Sequence, residues 1–92
     1  MRKIGETELA IATRFFFILD ELKERKVIGG TLEFCRNHGI SAANLYTTRN
    51  NIEVRTLKTE WLAFLVLDYK VSARWLLTGD GEVFEKGSPA LY

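Results

Sequence analysis

Between Arg14 and Lys26 the apolar residues Phe15, Ile18, Leu19 and Leu22 recur at i, i+3, i+4 and i+7, the spacing of an amphipathic helix. Thr13 or Thr7 is positioned to cap its start, and Gly29 and Gly30 to end it. A short second helix is expected from Thr31, a residue suited to an N-cap, with Glu33 against the positive end of the helix dipole. Gly39 stops it. Ser41 then caps a third helix running to about Asn50, and the polar stretch Asn50 to Thr56 reads as a loop. Thr59 to Tyr69 is apolar on nearly every side, which predicts a helix at the buried centre of the fold. Ser72 caps a fifth helix through Leu77, broken by Gly79 and Gly81. The only proline, Pro89, lies in the terminal segment, so nothing before it is barred from helix.

The expected fold is therefore all-α: a compact five-helix bundle, one domain over residues 1–92 with its core at about 13–84 and a loose tail at 85–92. With 47% apolar and 27% charged residues the composition is that of an ordinary globular protein. The longest apolar runs, Phe15 to Leu19 and Leu62 to Leu67, are far too short to span a membrane. Glu6 and Glu8 precede any apolar stretch, which argues against a targeting segment. A single cysteine, Cys35, excludes a disulfide framework and points to a reduced, cytoplasmic chain.

Reactive chemistry is sparse. Cys35 and His38 lie three residues apart, but structural zinc needs four ligands and catalytic zinc three, and no other Cys or His exists. Cys35 reads as a small core residue and His38 as a partly exposed one. Neither a phosphate-cradling glycine loop nor a dinucleotide fingerprint is present. The chain is expected to be no enzyme, and to have no metal, no cofactor and no small-molecule substrate.

The informative stretch is Thr31 to Arg49. Two short helices that cross closely need a small side chain at the contact, and Cys35 stands there. The turn between them needs a residue tolerant of positive φ, and Gly39 supplies it four residues later. If Leu45 faces inward, 100° per residue turns Ala43, Tyr46, Thr47 and Asn50 outward, with Asn44 flanking them. That face is small or polar, uncharged and able to hydrogen-bond, so it can enter a DNA major groove without burying a bare charge. Net charge is only +1, which weighs against nucleic acid. Its distribution is more favourable. Arg36, Arg49, Arg55 and Lys58 outnumber Glu33 and Glu53 over residues 31–58, and no carboxylate lies between Phe34 and Ile52. Arg49, Arg55 and Lys58 flank the third helix and are the expected phosphate contacts.

The order helix, small residue, Gly, hydrophobe, Ser, helix resembles the helix-turn-helix of phage repressors and the xenobiotic-response-element regulators. The segment Val71 to Phe84 is similar to the final helix and turn of many such domains, so the resemblance spans roughly Arg14 to Phe84. It implies a sequence-specific transcriptional regulator whose third helix reads bases in double-stranded DNA. Ser41, Ala42, Ala43, Asn44, Tyr46, Thr47 and Asn50 would form the base-facing set, and Thr31 would meet a phosphate. His38 departs from the family, which usually has an apolar residue there, and Ala42 and Ala43 offer only methyl contacts. One short recognition helix touches few base pairs, so a homodimer on two half-sites is expected, paired through Val83, Phe84, Leu91 and Tyr92 unless Val83 and Phe84 fold back on Trp75. The competing function is a small protein-interaction module, accessory or antitoxin-like, on the same fold.

Overall fold

The structure, a computed structural model, describes residues 5–91. It is all-α, with five α-helices and one 3-10 turn among those residues. The chain divides into two compact units, Met1–Leu57 and Lys58–Tyr92.

In the first unit α1 spans Glu6–Glu24, α2 spans Thr31–His38 and α3 spans Ala42–Asn50. The predicted stripe of α1 is buried: Phe15, Ile18, Leu19 and Leu22 are inaccessible, joined by Ala12 and Phe16. Both ends of α1 differ from expectation. It begins after Gly5, with Glu6 and Glu8 in the dipole-favoured first turn, and the Thr13 hydroxyl donates to the Leu9 carbonyl inside the helix instead of capping it. It ends at Glu24, and two residues on Lys26 takes the left-handed conformation at φ 60°. Lys26 N–H then donates to Lys23 O and Val27 N–H to Leu22 O, a paired closure usually built on glycine. Gly30 serves the next helix instead, as the residue before α2 at φ 154°, so Thr31 is the first helical residue and not the cap.

α2 packs against both α1 and α3. Phe34 and Cys35 are its buried residues, and the Phe34 ring meets Phe15 edge-on at 6.2 Å. Gly39 at φ 66° then turns the chain while Ile40 N–H donates to Cys35 O. Ser41 Oγ accepts from Asn44 N–H at 3.2 Å and starts α3, as the sequence predicts. α3 buries only Leu45 and Thr48, whose hydroxyl bonds the Asn44 carbonyl.

In the second unit α4 spans Thr59–Tyr69 and α5 spans Ala73–Thr78. α4 is not buried all round. Trp61, Leu65 and Tyr69 form one buried line at i, i+4, i+8, while Leu67 is 74% exposed. Lys70, at φ 52°, closes α4 with Val71 N–H on Leu65 O. The Ser72 hydroxyl caps α5 by accepting from Trp75 N–H, and Gly79 ends it in the left-handed region.

Residues 85–91 are not a loose tail; Tyr92 lies outside the described residues. Val71 pairs with Phe84 in an isolated antiparallel bridge, and Ser72 N–H donates to Val83 O. Glu85 N–H donates to Lys70 O. Ser88 is fully buried, its hydroxyl donating to Tyr69 O at 2.6 Å and accepting from Ala90 N–H, before a 3-10 turn at Pro89–Leu91. A buried hydroxyl with both roles satisfied ties the terminal segment to the end of α4. Ser88→Ala should strand the Tyr69 carbonyl and lower unfolding stability by about 1–3 kcal/mol, read as a lower urea midpoint. An unchanged midpoint would return the segment to a loose tail.

Candidate nucleic-acid interface

α3 presents its residues as the inward-facing Leu45 requires. Ser41, Ala43, Tyr46, Thr47 and Asn50 are exposed, and Ala42 and Asn44 are half-buried. The exposed row carries no charge. At the C-terminal end of α3, Asn51 Nδ2 donates to Thr47 O, holding the turn that leads to Arg55.

The cations stand differently from expectation. Arg49 is not a free arm: its Nη2 donates to both carboxylate oxygens of Asp20 on α1, at 2.9 and 3.1 Å. The guanidinium also lies over the Phe16 ring, 5.5 Å from its centre. The carboxylate gap between Phe34 and Ile52 is therefore not a gap in space, because α1 returns Asp20 to α3. Glu8 likewise approaches the following loop, with the Thr56 hydroxyl 3.4 Å from its carboxylate. Arg55 reaches back from that loop, and its Nη2 donates to Asn44 Oδ1 at 2.7 Å. A residue assigned to bases and one assigned to phosphate are thus partners. Lys58 belongs to the second unit, exposed at the N-cap of α4.

Thr31, half-buried at the start of α2, lines an open depression together with Tyr46 and Arg49. Lys23 and Arg36 lie on its border, as do Asp20 and Glu33. Sequence reasoning grouped Thr31, Tyr46 and Arg49 but missed Phe16 and Asp20, which lie a helix away and carry no local signal. A depression with the uncapped start of α2 and three cations suits an anion, tempered by its two carboxylates.

Cys35 is buried, and burial pushes its thiol pKa up. His38 is half-buried with its ring 4.8 Å from that of Phe34. No group of three metal-ligating side chains occurs among the described residues, and no helix there is long and apolar enough to cross a membrane. Neither protein-family models nor curated proteins nor solved structures give a significant match to this chain.

Because burial raises the thiol pKa, the unfolded thiol ionises first, so the fold keeps its full stability below the unfolded pKa and loses part of it as alkaline pH rises from there toward the folded value. Cys35 should stay unmodified by a thiol reagent at pH 8 and react only as urea unfolds the chain. Rapid labelling under native conditions would show a reachable, ionisable thiol and reopen nucleophilic chemistry at α2.

Proposed function

We propose that the chain is a sequence-specific regulator that binds double-stranded DNA, resembling the phage repressors, with α3 as the reading helix and no catalytic role. The observation that carries the proposal is the uncharged, hydrogen-bonding outer row of α3, Ala43, Tyr46, Thr47 and Asn50, exposed opposite Leu45. A major groove presents donors, acceptors and thymine methyls, and this row matches them without a desolvated charge. Ser41 and Ala42 lie at the end of α3 that leads into the groove in such dockings. In this reading Thr31 and Arg49 meet the flanking backbone, with Arg55 supplying further charge. A cytoplasmic location follows from this role.

Binding two half-sites as a homodimer remains part of the proposal, but its surface moves. Phe84 is buried in the second unit and bridges Val71, so it is not available for pairing. Among the described residues, Phe17 and Leu32 are exposed in the first unit, and in the second unit a row of apolar surface runs along α4 and α5, at Leu67 and Leu77 beside half-buried Leu62 and Val66. Leu91 is also exposed. That same row favours the second reading, a module that binds another protein, since large exposed apolar side chains in one place mark interaction surfaces.

Selection from a random duplex library at fixed salt tests the proposal. It should enrich a two-fold-related sequence, and an absence of any enriched sequence would overturn it in favour of the protein-binding module. Asp20→Asn should release Arg49 to phosphate, strengthening binding to all sequences alike and steepening the salt dependence by about one contact. An unchanged slope would remove Arg49 from the interface.

A further inference from the structure

A guanidinium carries N–H donors only, whereas an asparagine amide carries a donor end and an acceptor end. A guanidinium nitrogen 2.7 Å from the amide of Asn44 therefore faces its oxygen. The acceptor end is engaged and the donor end, Nδ2, makes no hydrogen bond among the described residues. Beside it stand the remaining N–H groups of the exposed Arg55. The pair presents donors and almost nothing else.

Adenine offers N7 as acceptor and N6 as donor in the major groove, so reading it with asparagine uses both ends of the amide. With Oδ1 held by Arg55, a second lone pair remains, but an adenine amino group brought to it would set N–H dipoles against a cation. Cytosine offers a donor and meets the same obstacle. Guanine offers two acceptors, N7 and O6, and matches a two-donor surface. We propose that Asn44 and Arg55 act as one composite reader that selects guanine, Arg55 holding the amide in its donor-outward setting; this rests on the DNA-binding reading above.

Duplex selection at one salt concentration, with the unmodified chain and with Arg55→Ala, tests it. The unmodified chain should select guanine at one position of each half-site. In Arg55→Ala the freed amide regains both ends, and the adenine-to-guanine ratio at that position should rise by roughly tenfold or more. Loss of a phosphate contact alone weakens all sequences equally and leaves the ratio unchanged. Adenine selected by the unmodified chain, or guanine retained by the variant, would overturn the composite reader while leaving DNA binding intact. Relaxation with no gain of adenine would assign guanine to Arg55 alone and overturn it too. If neither chain enriches any duplex, the DNA-binding reading falls and the composite reader with it.

Discussion

The left-handed turn at Gly39 is the constraint on which the first unit depends. Helices of eight and nine residues are too short to hold themselves in water, so α2 and α3 exist only as far as they bury side chains against α1 and each other. Phe34, Cys35, Leu45 and Thr48 are the side chains they bury, and the two helices pack together because one residue at φ 66° reverses the chain within a few residues. A larger residue at buried Cys35 would overpack the core, and a residue with a Cβ at Gly39 would be strained in that conformation. Fixing the inner face fixes the outer one. With Leu45 and Thr48 inside, Tyr46, Thr47 and Asn50 have no other place than the surface.

The charges near α3 are organised as pairs, which explains how a nearly neutral chain can carry a charged site. Asp20 takes up Arg49, and Arg55 is spent on an amide, so the helix flanks hold directed donors more than a diffuse positive field. The exposed Arg49–Asp20 pair contributes little to stability, since such pairs are typically worth about 0–1 kcal/mol. Its consequence is positional: the guanidinium is held over Phe16, in the depression that Thr31 and Tyr46 also line. In the proposed DNA-binding role, this arrangement would give modest attraction to phosphate and place the reading on shape and hydrogen bonding.

Much of the fold was legible from local signals. The end of α2, the start of α3 and both ends of α5 follow from Gly39, Ser41, Ser72 and Gly79, residues whose backbone or hydroxyl chemistry acts within a turn of where they stand. The ends of α1 were not legible, because Thr13 has the chemistry of a cap but spends it on Leu9, and Lys26 adopts a conformation that lysine does not advertise. α4 shows that composition is not direction: it is apolar on most sides, yet only the Trp61–Leu65–Tyr69 line is buried. The order of the terminal segment was not legible, because what holds it is the carbonyl of Tyr69, distant in sequence from Ser88. The outward row of α3 was legible from Leu45 and 100° geometry alone. The pairs Arg49–Asp20 and Arg55–Asn44 were not, since residues 29 and 11 apart share no periodic signal.

The outer face of α3, and not the apolar row of α4 and α5, is the surface proposed to meet nucleic acid. A nuclear magnetic resonance titration of the chain with a mixed-sequence DNA duplex at low salt measures this residue by residue. Amide shifts should concentrate at Thr31 and from Ser41 to Asn50, with the side-chain amide of Asn44 among the most affected. Shifts confined to Leu62, Val66, Leu67 and Leu77, or none at any duplex concentration, would contradict it.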